Sequence, residues 1–174
     1  MKIAVPKETR AHETRVAAVP ETVKKFTALG AEVHVQAGAG EAASIPDSAY
    51  ESAGAKVTKT LASVLKDAEI VLKVARPTEA EIKSFHKGQK LFCVMSPYTD
   101  RETLDALAAK GVDCFAMEFM PRITRAQSMD VLSSQANLAG YKAVLEAANL
   151  YTRGMPQMMT AAGTVAPAKV FVMG

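Results

Sequence analysis

The sequence predicts an open, doubly wound α/β domain built on a parallel sheet, and three observations carry that expectation. Apolar β-prone runs alternate with helical patterns from Ile3 to Met117, and elements that alternate in this way pack as a parallel sheet covered by helices on both faces. Helical patterns stop at Gly30 and Gly111, where glycine can end a helix in a left-handed turn. With 174 residues, 49% hydrophobic and 22% charged, the chain can bury a real core and carries no sign of disorder or fibre.

Taken in order, Ile3 to Val5 form a short apolar strand. A polar loop follows, and Pro20 then opens a helix with Val23, Phe26 and Leu29 three apart, the spacing of one helical face. Val33 and Val35 alternate with His34 and Gln36 in a second strand that ends at Gly38 and Gly40. Asp47 to Ala53 reads as a short helix, Ala55 to Val57 as a minor strand, Leu61 to Ala68 as a helix and Glu69 to Val74 as a strongly β-prone run. Thr78 to Phe85 is helical, with Thr78 and Glu81 at capping-box spacing. Lys90 to Met95 is a buried strand, Asp100 to Lys110 a helix with Leu104 and Leu107 three apart, and Asp113 to Met117 the fifth main strand.

Between Glu118 and Leu132 the rhythm breaks, because Pro121, Arg122, Arg125, Gln127, Ser128 and Asp130 replace any apolar period. A long loop is expected there. From Ser133 or Ser134, either a suitable N-terminal cap, Leu138, Tyr141, Val144, Leu145 and Ala148 mark one face of a helix reaching about Tyr151. Thr152 to Pro167 reads as a loop, and Lys169 to Gly174 as a final strand. The expected division is an α/β domain over 1–132 and a connector helix with the start of a further domain over 133–174.

Lysine and arginine total 21 against 18 acidic residues, a net charge of +3 spread along the chain. That balance implies neither nucleic acid nor a membrane surface as partner. Cys93 and Cys114 sit in apolar runs without a partner at metal-ligand spacing, so free thiols are expected and a metal site is not. The first apolar stretch is far too short for a signal peptide, and no run approaches the roughly 20 apolar residues of a membrane span. A soluble, cytosolic polypeptide is expected.

In an open α/β sheet, ligands sit beyond the carboxyl ends of the strands. Those positions are polar here: Lys7, Glu8, Thr9, Arg10 and Arg15 after the first strand, Lys73, Arg76 and Pro77 at the fourth, Ser96, Pro97 and Tyr98 after the fifth. Lys73, within Ile70-Val-Leu-Lys-Val, must meet an anion, since an unpaired ammonium in a sheet interior costs several kcal/mol. A ligand and an internal salt bridge are equally open as that partner. Arg15 has the chemistry to clamp a carboxylate or phosphate, or to stay solvated. His12, His34 and His86 fall in a loop, a strand and a turn and give little support for acid–base work. The stretch from Pro121 to Gln135 has the chemistry of a nicotinamide-binding loop: Gln127 can bond a carboxamide both ways, Asp130 can stabilise ring positive charge, and Arg122 or Arg125 can meet phosphate. A surface loop without a ligand is the plainer reading of composition alone.

Met1-Lys-Ile-Ala-Val-Pro-Lys-Glu-Thr-Arg, Glu13-Thr-Arg-Val-Ala, Gln36-Ala-Gly-Ala-Gly-Glu, Val71-Leu-Lys-Val and Thr160-Ala-Ala-Gly-Thr-Val together resemble the alanine dehydrogenase and nicotinamide nucleotide transhydrogenase superfamily over essentially the whole chain. The segment Met120-Pro-Arg-Ile-Thr-Arg-Ala-Gln-Ser-Met-Asp with Ser133-Ser-Gln-Ala-Asn-Leu-Ala-Gly-Tyr resembles the transhydrogenase α subunit in particular, whose Arg-Gln-Asp loop contacts NAD(H) near its nicotinamide. The resemblance implies that Arg122, Gln127 and Asp130 bind and position the dinucleotide, with Ser133 a further contact. It places Arg15 and Lys73 where alanine dehydrogenases hold substrate carboxylate and carbonyl, and Ser96 where those enzymes carry an acid–base histidine.

Reductive amination needs proton transfers, whereas hydride passing between two nicotinamide rings needs none. The missing histidine therefore favours transhydrogenation over an alanine dehydrogenase fragment, or over a non-catalytic flavodoxin-like binding module. The resemblance further implies a flavodoxin-like first domain, a connector helix from Ser133, and the first strand of a Rossmann-type domain at Val170 to Met173, with the cofactor between the two domains. Its glycine-rich pyrophosphate motif would follow Gly174, so the 174-residue chain alone is expected to be inactive. Partners implied are an NADP(H)-binding component, a membrane component that couples hydride transfer to proton translocation, and a second copy of the α subunit, at the cytoplasmic side of the inner membrane.

Overall fold

A computed structural model describes residues Met1–Met173. They fall into two compact units, the first Met1–Met129 and the second from Asp130 onward. The first carries an all-parallel sheet of six strands: β1 (Lys2–Val5), β2 (Glu32–Gln36), β3 (Lys56–Thr58), β4 (Ile70–Ala75), β5 (Lys90–Val94) and β6 (Asp113–Ala116), in the order β3-β2-β1-β4-β5-β6. Setting aside the three-residue edge strand β3, the main strands run 2-1-3-4-5, the flavodoxin-like order. Neighbours of β1 lie on both sides, so the chain reverses its direction of winding between β1 and β4. The doubly wound parallel α/β class expected from the alternation is the one found.

Period-two alternation along the strands divides the core into two layers. Ile3, Val5, Val33 and Val35 meet Val23 of α1 (Pro20–Ala28) and Tyr50 of α2 (Asp47–Ser52). Ala4, Val71, Leu91 and Cys93 meet Val64 and Leu65 of α3 (Leu61–Leu65), Ile82 of α4 (Glu79–Ile82), Phe85, and Leu107 of α5 (Arg101–Ala109). Burying each such aliphatic side chain stabilises by roughly 1.5–3 kcal/mol. The Tyr50 hydroxyl donates to the Ala18 carbonyl at 3.0 Å, so the one polar atom of that residue is satisfied inside the layer. Glycine matters most after β2, where a Cβ on Gly40 would stand 2.7 Å from the Ile45 carbonyl and 2.8 Å from Tyr50 Cε2. Gly40→Ala is accordingly expected to lower stability by about 1–3 kcal/mol, measured by chemical denaturation.

Several elements differ from expectation. The helices at 61 and 79 are shorter than read, because Lys66 and Lys83 already close them, although the Thr78–Glu81 capping box forms. The stretch after β6 is not one irregular loop: it winds into two 3-10 segments, Met117–Phe119 and Thr124–Met129. Ala126, 4% exposed, is the buried anchor of the second, too small a signal to register as periodicity.

In the second unit, helix α6 spans Val131–Leu150 and its cap is Asp130, not Ser133 or Ser134. The Asp130 carboxylate takes the Ser133 backbone N–H at 3.0 Å and the Ser133 hydroxyl at 2.6 Å, so the earlier of the competing cap residues wins. The expected loop from Thr152 holds a small hairpin, β7 (Met158–Thr160) with β8 (Gly163–Val165). Its Ala161-Ala162 turn lacks the Asn, Asp or Gly that advertises one. Residues 169–173 form no strand, since none of the described residues pairs with them; Gly174 lies outside the described residues.

Candidate functional site

The winding reversal between β1 and β4 opens a crevice at the carboxyl ends of those strands, the place where this kind of sheet binds ligands. It is filled by the chain's own charges. Lys73 Nζ lies 3.0 Å from Glu81 Oε1 and 3.1 Å from Glu8 Oε2, with side-chain exposures of 1%, 5% and 3% for the lysine and the two glutamates in that order. Each carboxylate also serves the backbone: Glu8 Oε1 accepts the Val74 N–H at 2.6 Å, and Glu81 Oε2 accepts the Thr78 N–H at 2.7 Å and its hydroxyl at 3.0 Å. Burial pushes the Glu81 carboxyl up, but the Lys73 charge and the bonds from Thr78 and Lys73 outweigh it and hold the group below its ordinary value. Of the two partners open to Lys73 from the sequence, the internal salt bridge is present.

A second tier of ionic contacts surrounds the triad. Arg10 donates to the carbonyls of Arg76 at 2.9 Å and Pro77 at 3.4 Å, tying the loop after β1 to the end of β4. Arg76 pairs with Asp100 at 2.6 Å. Bonds from the backbone and hydroxyl of Thr103, then the contact with Arg76, hold the Asp100 carboxyl below its ordinary value. Arg15 grips Glu13 with two donors, 2.8 and 2.7 Å long. The Glu13 hydrogen bond raises the guanidinium's pKa, with a smaller push from the charge of Glu8. Arg15 and Lys73 are thus not joined to each other, yet both are coupled to Glu8.

At the end of β5, Ser96 takes a left-handed backbone with φ 50°. The backbone N–H groups of Met95 and Ser96 both point at Glu118, donating to its two carboxylate oxygens at 3.1 and 2.5 Å. Glu118 sits in the 3-10 turn that leads into the loop from Pro121. Cys93 is buried and Cys114 partly so, both free, and burial pushes both thiols up, which leaves them poor nucleophiles at neutral pH.

Arg122 and Gln127 present the opposite picture to Lys73. Both are exposed, and among the described residues neither side chain has a hydrogen-bond or ionic partner. Their backbone is nevertheless ordered: Met120 N–H bonds Met117, Ile123 bonds Pro121 and Ala126 bonds Ile123 at 2.9–3.2 Å. In the second unit, Asp130 and Ser133 are brought together by the cap of α6.

Residues 4–139 match the family described as alanine dehydrogenase/PNT, N-terminal domain. The chain belongs to that family. Among its relatives, the first of the polypeptides that make up the NAD(P) transhydrogenase subunit alpha of Rhodospirillum rubrum is 51% identical over all of this chain and 47% of its own length. The alanine dehydrogenase of Halomonas elongata is 35% identical over the whole chain and 47% of its own. Of solved structures, the transhydrogenase of Sinorhizobium meliloti superposes with a TM-score of 0.92 at 52% identity, covering 97% of this chain and 48% of that one. An L-alanine dehydrogenase reaches 0.69 at 31% identity, covering 73% and 35%. The chain therefore spans about half the length of the curated relatives it matches.

Within this alanine dehydrogenase/PNT domain, the sequence pointed to Lys73 and Arg15 but not to their partners. Glu81 was legible only as a cap and Glu8 only as one of several charges after β1. Glu118 carried no signal, since the match between a carboxylate and two amides 22 and 23 residues away exists only once β5 and β6 are neighbours. Among the described residues no helix is long and apolar enough to cross a membrane, and no cluster of His, Cys, Asp or Glu could hold a metal ion.

Proposed function

We propose that this chain is the N-terminal part of the NAD(H)-binding subunit of a proton-translocating NAD(P) transhydrogenase. The observation that carries the reading is the contrast between a crevice whose cation is already neutralised and a neighbouring ordered loop whose Arg122 and Gln127 side chains are exposed and uncommitted. An exposed amide and guanidinium on a fixed backbone fit a dinucleotide: Gln127 can exchange two hydrogen bonds with a carboxamide, and Arg122 can meet phosphate. Asp130 and Ser133 add a carboxylate and a hydroxyl at the start of α6. NAD(H), when bound, supplies the hydride, which passes to or from NADP(H) held by a partner component, while a membrane component couples the transfer to proton movement. The chain's own residues bind and orient one ring; no proton is moved by a side chain, and Ser96, in place of a histidine, is consistent with that.

On this reading the subunit acts as a homodimer, peripheral to the cytoplasmic side of the inner membrane. The alanine dehydrogenase relatives keep a second reading in play, in which Lys73 and Arg15 hold a 2-oxo acid. One assay separates the two. The complete protein, assembled with its partners, is expected to reduce an NAD analogue from NADPH and to leave alanine unoxidised in the presence of NAD; alanine oxidation would overturn the transhydrogenase reading.

A further inference from the structure

We propose that Glu118 is a positioning residue for hydride transfer, fixing the root of the loop that carries Arg122 and Gln127 to the carboxyl end of β5. The inference rests on the reading of that loop as the nicotinamide contact. Glu118 belongs to the 3-10 turn Met117–Phe119, and the loop begins at Pro121. Both oxygens of its carboxylate are engaged by successive backbone N–H groups, those of Met95 and Ser96. A carboxylate is acceptor only, so it matches two donors where an amide side chain would oppose one N–H with another. The clamp also holds Ser96 at φ 50°, a conformation that a serine adopts only when its surroundings impose it.

Two turns of chain thus meet on one carboxylate: the strand end that faces the ligand crevice and the start of the loop. The rest of the loop root is held by short-range turn bonds alone, from Met120 to Met117 and from Ile123 to Pro121. Those bonds shape the loop but do not tie it to the sheet. Glu118 does. Hydride transfer is steep in distance and angle, and a loop displaced by about 1 Å costs on the order of a hundredfold in rate, so the clamp bears on the rate more than on nucleotide affinity.

The test uses the complete enzyme with its partner components. Glu118→Gln is expected to lower kcat for hydride transfer about tenfold while the KM for NADH changes less than about threefold. Adding Ser96→Gly, which removes the left-handed strain, is expected to restore thermal stability but not kcat. Recovery of kcat together with stability would reduce Glu118 to a local structural prop and overturn the proposal. So would an unchanged kcat in Glu118→Gln beside a slowed Gln127→Ala. If Gln127→Ala and Arg122→Ala both transfer hydride at the normal rate, the loop reading itself falls, and this proposal with it.

Discussion

Lys73→Met is expected to destabilise the first unit by about 3–5 kcal/mol, the cost of breaking a buried ion pair from one side. Methionine fills the same volume, so the loss is electrostatic rather than a cavity. What remains is a pair of glutamates, Glu8 and Glu81, that are 3% and 5% exposed and stripped of their shared cation. Each still accepts a backbone N–H, but those bonds do not offset the desolvation of two like charges. Adding Glu8→Gln and Glu81→Gln to the lysine variant keeps the backbone acceptors and removes the charges, and most of the stability should return. Urea denaturation of the three variants measures this, and independent, additive losses would show that the groups do not act as a unit.

The same triad fixes how stability responds to acid. The folded-state pKa of Glu81 is depressed, so its contribution is present above the ordinary carboxylate value, about 4.3, and is lost as pH falls through the depressed value. Wild-type stability should therefore decline on acidification below about pH 4. In Lys73→Met the slope reverses, because acid neutralises carboxylates that no longer have a partner.

Most of the sheet was legible because its signals are local. Ile3 to Val5, the Val33 and Val35 pair and the run from Glu69 each declare a strand through apolar and β-branched content, and Pro20, Gly30 and Gly111 mark helix ends. The minor strand β3 at the edge was also legible, and with it the winding order follows from short right-handed crossovers. Failures occurred where two local signals compete or where the signal is long-range. Asp130, Ser133 and Ser134 are all good caps, and only the geometry of the preceding 3-10 turn selects the first. The hairpin of β7 and β8 has no turn residue to announce it. At the site, a lone lysine in a strand required an anion, but whether that anion belonged to the chain depended on bringing β1, β4 and the start of α4 together. Glu118 is the extreme case, since acceptor and donors come from segments whose pairing is itself the fold.

Gln127→Ala and Asp130→Ala are each expected to slow hydride transfer in the complete enzyme tenfold or more, at least about 1.4 kcal/mol in the barrier. The two losses differ in origin. Gln127 is exposed and has no partner among the described residues, so removing its amide should leave stability nearly unchanged and act on the bound ring alone. Asp130 has a second task as the cap of α6, taking both the N–H and the hydroxyl of Ser133, and its loss should also cost about 1 kcal/mol of helix stability. Asp130→Ser separates the roles, because serine caps a helix about as well as aspartate but brings no charge. Stability should recover in that variant while the rate stays low, which is the result expected if the carboxylate stabilises positive charge on the nicotinamide. A normal rate in Asp130→Ser would confine Asp130 to its cap, and normal rates in both alanine variants would remove the loop from the nucleotide site.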